Sequence, residues 1–186
     1  MDTNLFFPVL LGTTREGRLS ESAAKLVAKV GAGMDGIETQ LVDPRNFSLP
    51  DDGHNDGDQD PEYEKITERA DGFFIVSPEY NHSFPPSLKR MLDSENDFSH
   101  YQNKPVAFAG VSNGPWGGVR MIESLLSAVR TMGMYALDRD VQFPMVQEKF
   151  NENGKLLDEK MTGRIEKVYE RLIWKAKALK WGRENL

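Results

Sequence analysis

Five short apolar runs punctuate the chain: Leu5 to Leu11, Gly36 to Val42, Gly72 to Ser77, Pro105 to Val111 and Met134 to Leu137. Runs of this length with little polar alternation predict strands covered on both faces. Between them the period changes. Ala23, Leu26, Val27 and Val30 fall on one helical face, as do Ile122, Leu125, Leu126 and Val129, while Ile165, Val168, Leu172, Ala176 and Leu179 mark a long C-terminal helix. Asp60-Pro61 supplies an N-cap and a first helical residue for a helix to about Ala70, and Pro85-Pro86 opens a short one through Leu92. Strand and helix alternate five times, which predicts a three-layer α/β fold, a five-stranded parallel sheet with helices on both faces, in one domain over residues 1–186. In such sheets ligands sit beyond the carboxyl ends of the strands. The segments that matter for function are therefore those following Leu11, Ser77 and Val111.

Composition changes this picture only by exclusion. The 186 residues, 39% of them hydrophobic, suffice for one sizeable core. Twenty-three Lys and Arg against 29 Asp and Glu give a net charge of −6, which argues against a nucleic-acid or membrane partner held through the overall field. A local basic pocket is still allowed. There is no cysteine, so thiol catalysis, zinc thiolates and iron–sulfur clusters drop out, and redox chemistry has to come from a bound cofactor. The apolar stretch LFFPVLLG is far too short to span a membrane and has no basic residue before it, so the expected setting is cytoplasmic.

Three motif-like strings fail on context. GAGMDG, Gly31 to Gly36, has the spacing of a dinucleotide fingerprint but follows a helix and precedes a strand, the reverse of the required order, so it reads as a helix-ending turn. GVSNG, Gly110 to Gly114, has the letters of a nucleophile elbow, yet His54, His82 and His100 all precede Ser112, and Pro115-Trp116-Gly117-Gly118 delays the helix. The acidic run Asp51 to Asp60, counted from Asp52, has His54 and Tyr63 where a calcium loop needs carboxylates at its third and twelfth positions, and it reads as a solvated loop.

A fourth string, LGTTREGRLSES, follows the first strand. Gly12 and Gly17 have the spacing of a triphosphate loop, but Arg18-Leu19 stands where Lys-Ser or Lys-Thr is needed. What it offers is Thr13, Thr14, Arg15, Arg18 and Ser20 at a strand-to-helix junction, where hydroxyls, guanidinium groups and backbone N–H can surround one phosphate. The plainer alternative is that Ser20 only caps the helix and the arginines are solvated. The loop after the third strand, SPEYNHSFPPSLK, presents rigid backbone amides and an aromatic ring, suited to the edge and face of a flat heterocycle; its plain alternative is a well-turned surface loop.

Taken in order, GTTREGRLS, SPEYNHSFPPSLKRMLD and GVSNGPWGGVRM resemble the signature loops of the NADPH-dependent FMN reductase family of flavodoxin-like proteins, and the likeness runs from Phe6 to about Phe143. The resemblance implies FMN as cofactor, NADPH or NADH as reductant and hydride transfer onward to a small acceptor such as free flavin or a quinone. It implies that Thr13, Arg15, Arg18 and Ser20 hold the FMN phosphate, that Pro78, Glu79, Tyr80 and Asn81 run along the isoalloxazine, and that Ser112, Asn113, Gly114 and Gly117 lie near its pyrimidine end. Glycines at 114, 117 and 118 are expected to let the backbone approach the flat ring. Pro86 stands where many relatives have Gly. The second class is a flavodoxin-type electron carrier that binds FMN without oxidising nicotinamide; against it, flavodoxins have a Thr/Ser-rich phosphate loop without this pair of arginines. A homodimer or homotetramer is expected, because relatives cover the flavin edge with a neighbouring chain and because Phe84, Phe98, Tyr101 and Trp116 lie in or just beyond the cofactor loops.

Overall fold

The computed structural model describes residues 4–50, 59–95 and 97–186. The acidic run at 51–60 falls mostly outside the described residues. The elements follow one another as β1 (Leu5–Leu11), α1 (Ser20–Ala32), β2 (Ile37–Val42), α2 (Pro61–Arg69), β3 (Phe73–Pro78), α3 (Pro86–Asp93), β4 (Pro105–Val111), α4 (Val119–Thr131), β5 (Tyr135–Ala136), β6 (Val141–Phe143) and α5 (Lys160–Asn185). The strands are parallel and ordered β2-β1-β3-β4-β5, with β6 also on β4. This is the flavodoxin-like order, with a reversal of direction between β1 and β3.

The apolar runs become the middle of the sheet because every residue in β1 and β4 is buried. Alternate side chains serve opposite layers. Leu5, Phe7, Val9 and Leu11 pack with α1 and α5, through Ala23, Val27, Ile165 and Leu172. Leu10, Phe73, Ile75 and Phe108 pack with α2, α3 and α4, through Tyr63, Leu88, Leu92 and Leu125. Asp60 caps α2, its Oδ1 accepting from the amides of Glu62 and Tyr63 at 2.9 and 3.2 Å, and Pro61 occupies the first helical position, where no N–H is needed. The GAGMDG segment ends α1 at Gly33 and turns into β2 through Gly36.

One expectation is corrected. The fifth strand is not a single run over Met134–Leu137; two short pieces, β5 and β6, share that side of β4, pairing with its start and with its end. The charged stretch Asp138-Arg139-Asp140 separates them, and a piece as short as Val141–Phe143 carries no apolar run long enough to read.

Candidate flavin site

The loop after β1 leaves the sheet through Gly12, whose amide donates to the Val76 carbonyl at 2.8 Å. Thr13 is buried, and its Oγ1 accepts from the Arg15 amide at 3.2 Å while bonding the Tyr80 hydroxyl at 2.9 Å. The first and second loops are therefore tied by their side chains. Arg18 is turned inward: its side chain is 3% exposed, and it donates to the Thr13 carbonyl, to Asp43 Oδ2 and, from Nε at 3.3 Å, to Glu21 Oε2. Glu21 also takes the Lys25 ammonium at 2.7 Å; that bond first, and Arg18 further down, hold its carboxyl below the ordinary range. Arg15 stays exposed. Ser20 opens α1, so its amide and those just before it are the unpaired donors of a helix start.

After β3, the Glu79 amide donates to the Val111 carbonyl at 3.1 Å and a tight turn follows, with Tyr80 and Ser83 exchanging two backbone bonds at 2.8 and 2.9 Å. Asn81 and His82 have φ of 48° and 65°, the left-handed conformation that Asn tolerates best among residues with side chains. Pro86 sits at the first helical position of α3, downstream of that turn, where its fixed φ suits a helix start. Glu79 reaches across to α4, where Arg120 Nη1 donates to its Oε1 at 3.1 Å.

The loop after β4 is held by the short β6. The Ser112 amide donates to the Phe143 carbonyl, and the amides of Met145 and Val146 donate back to Gly114 and Ser112. Ser112 Oγ donates to the Gly114 carbonyl at 2.9 Å, a local turn bond. The Ser112 hydroxyl of GVSNG is thus engaged within its own turn, and among the described residues neither His82 nor His100 bonds it. Gly117 and Gly118 take φ of 60° and 79°, and a Cβ on them would lie 2.6 Å from Gln142 and 2.7 Å from the Val111 nitrogen. Packing on β4 and β6 thus requires the absence of a side chain at both, whereas a Cβ on Gly114 would meet nothing within 4 Å.

These three loops enclose one cavity of about 340 Å³, lined by Arg15 to Ser20, Pro78 to Tyr80, Val111 to Asn113 and Val146. Two buried polar atoms in its wall, Ser20 Oγ and Glu79 Oε2, have no hydrogen-bond partner among the described residues. Groups left so are costly unless a ligand or water completes them. Of the expected residues, Arg15, Arg18, Ser20, Pro78, Glu79, Tyr80, Ser112 and Asn113 line the cavity; Thr13 stands one bond behind it, and Asn81, Gly114 and Gly117 lie outside its wall. Gly17, Leu19 and Val146 line it unexpectedly, and Arg120, Asp43 and Arg45 support it from other elements. Arg120 carried a readable signal, being the arginine of the GVRM string, while Asp43 and Arg45 follow a weak strand and carried none.

The aromatic set divides. Tyr101 is fully buried against Tyr63, hydroxyl to hydroxyl at 2.9 Å, and burial pushes both phenols well above their ordinary pKa, so Tyr101 is core and not surface. Trp116 and Phe98 are exposed, at 63% and 40%. No helix among the described residues is long and apolar enough to cross a membrane, and no cluster of their His, Asp or Glu side chains is arranged to hold a metal.

Known proteins match this arrangement. An NAD(P)H-dependent FMN reductase of Pseudomonas aeruginosa is 27% identical over 170 residues, covering 88% of this chain and 91% of that protein. Among solved structures, the flavoenzyme NAD(P)H:(acceptor) oxidoreductase FerB from Paracoccus denitrificans superposes with a TM-score of 0.74 at 22% identity, covering 93% and 98% of the two chains. An archaeal flavodoxin superposes less well, with a TM-score of 0.60 at 12% identity over 93% and 99%. The family model described as NADPH-dependent FMN reductase matches residues 8–148, which takes in all three loops and most of the sheet; the chain belongs to the NADPH-dependent FMN reductase family.

Proposed function

We propose that the three-loop cavity holds FMN and that the protein, an NAD(P)H-dependent flavin oxidoreductase, passes reducing equivalents from NADPH or NADH to a small acceptor such as free flavin or a quinone. The observation that carries the assignment is a single cavity whose wall holds both a free hydroxyl, Ser20 Oγ, and a free carboxylate oxygen, Glu79 Oε2. FMN fits that donor set: its phosphate needs donors, and its ribityl hydroxyls and ring N–H need acceptors. When bound, the flavin supplies hydride acceptance and release, which no side chain here can supply.

The chain's residues bind and orient. Arg15, Ser20 and the amides opening α1 surround the phosphate, where guanidinium charge and the helix dipole act together. Thr13 and Arg18, whose polar atoms already have protein partners, shape that loop from behind. Pro78, Glu79 and Tyr80 run along the ring with Glu79 fixed by Arg120, and Ser112 and Asn113 form the far wall, braced by β6, with Asn81, Gly114 and Gly117 in the turns outside it. Leu19, Val111 and Val146 keep the wall apolar between the polar points. No residue is assigned as acid or base.

Assembly into a homodimer or homotetramer belongs to the same reading, supported by Leu19, Trp116 and Val119, large apolar residues left 40%, 63% and 37% exposed in the first and third loops and at the start of α4. The cytoplasm, where nicotinamide nucleotides are abundant, is the setting proposed. The test is a visible spectrum of the purified protein followed by NADPH or NADH with excess FMN. Flavin colour with nicotinamide oxidation supports the reductase, colour alone indicates a carrier, and a colourless protein that takes up no FMN rejects both. A mass near 21.0 kDa by light scattering at micromolar concentration would reject assembly.

A further inference from the structure

The carbonyls of the first loop are the unusual feature of the site. An anion can rest on a loop only if the negative ends of its peptide groups are directed elsewhere. Three consecutive carbonyls are each taken by a donor from outside the cavity wall or from its rear. Gly12 O accepts from Ser87 Oγ at 3.1 Å, Thr13 O from Arg18 Nη1, and Thr14 O from Arg45 Nε and Nη2 at 2.9 and 2.7 Å. The amides of Glu16 to Ser20, in contrast, donate to no group among the described residues.

Two of these ties converge on one short segment after β2. Asp43 caps the 3₁₀ turn Pro44–Asn46, its Oδ1 accepting from the Arg45 amide at 3.0 Å, and its Oδ2 holds Arg18. The same turn that fixes Arg45 over Thr14 therefore also fixes Arg18 under Thr13. We propose that Asp43 and Arg45 are positioning residues for the phosphate end of the flavin site: they draw two carbonyls out of the loop and leave its amides and the Ser20 hydroxyl facing the anion. The inference rests on the flavin reading of this cavity and adds to it a brace from another part of the chain.

It makes a prediction opposite in sign to simple electrostatics. Removing the Asp43 carboxylate adds net positive charge beside a bound dianion, which by Coulomb attraction alone tightens binding. The brace predicts the reverse. The experiment is titration of flavin-free protein with FMN and with riboflavin, followed by flavin fluorescence, for wild type, Asp43→Ala, Asp43→Asn, Arg45→Ala and Arg45→Lys, each checked for folding by circular dichroism. Asp43→Ala and Arg45→Ala are expected to weaken FMN about tenfold or more while riboflavin, which has no phosphate, changes by less than about twofold. Asp43→Asn keeps one acceptor and recovers part of the loss; Arg45→Lys keeps the charge but not the two-pronged grip and recovers little. If Asp43→Ala does not fold, the two Arg45 variants carry the test. FMN affinity unchanged or raised in these variants overturns the brace, as does an equal loss for riboflavin, which would mark a general structural defect. Wild-type protein that binds neither flavin overturns the flavin reading itself, a result separate from the others.

Discussion

Each edge of the sheet buries a cation, and the two edges complete it differently. At the amino-terminal edge, Lys104 is 4% exposed and its Nζ donates to the carbonyls of Thr67 and Glu68 at 2.8 and 3.2 Å, closing the end of α2. Asp71 beside it accepts from the Phe6 amide at 3.1 Å and pairs with Lys180 at 2.9 Å and with Arg183. At the carboxyl edge Arg18 is also buried and fully engaged, but around it the protein leaves Ser20 Oγ, Glu79 Oε2 and a run of amides without partners among the described residues. Around Lys104 the cation and the Asp71 carboxylate find protein partners; around Arg18 two side-chain oxygens in a cavity wall are left for a ligand to complete. Burial of a charge therefore does not mark a site, and what marks it is buried polarity left open beside a cavity.

The largest effects test that contrast directly. Arg18→Met and Lys104→Met each strip a buried cation from its acceptors and should each cost about 3 to 5 kcal/mol in a urea melt. Only Arg18→Met should also release FMN, read as flavin absorbance remaining with the protein after desalting. Equal flavin loss in Lys104→Met would show that the two edges are not independent. Next comes Arg15, exposed and free of the internal ties that hold Arg18. Arg15→Ala should weaken FMN by about 1.5 to 3 kcal/mol, roughly ten- to a hundredfold, through loss of a charge-assisted contact. Stability of the flavin-free protein should move by less than about 0.5 kcal/mol. A comparable drop in stability would place Arg15 in the brace instead of the cradle.

A smaller effect separates the edges by pH. Burial, reinforced by Arg183, lowers the Lys104 pKa to about 8. A folded-state pKa below the unfolded value near 10.4 means that the native state binds fewer protons, so stability should rise from about pH 8 towards pH 10. Tyr63 and Tyr101, raised by burial, act against this only above about pH 10. Chemical denaturation of wild type and Lys104→Met across that range checks the sign: the rise should be missing from the variant, while FMN affinity in both follows the other edge and stays level.

The sequence was legible where physics acts locally. Apolar runs fixed by burial on both faces gave β1 and β4 to the residue, and a side-chain cap with a proline gave the start of α2. The three loops were legible because each leaves a strand end and carries its own residues. What was hidden depends on chain returning from afar. β6 is short and charged on one flank, yet it holds the third loop and contributes Val146 to the cavity through the turn that follows. Arg18 read as a phosphate ligand or a solvated side chain because its partner, Asp43, is 25 residues away. Tyr101 read as surface because its partner Tyr63 lies on α2.

The smallest effect concerns a polar atom left open away from the three-loop cavity. Asp140 precedes β6, does not line the three-loop cavity, and its Oδ1 is buried without a partner among the described residues. Burial, then Glu123 and Asp138, raise its carboxyl to a pKa of about 6. A folded pKa above the unfolded value contributes stability that is fully present below about pH 4 and is lost as pH rises through about 6, so at neutral pH the ionised group is a burden. Asp140→Asn removes that charge and should stabilise the protein at pH 8 by at most about 1 kcal/mol, since the carboxyl is partly solvated, with the gain shrinking towards pH 4. FMN affinity should not change. If Asp140→Asn instead weakens FMN, the open carboxylate belongs to the site after all, and the contrast between the two edges has to be redrawn around β6.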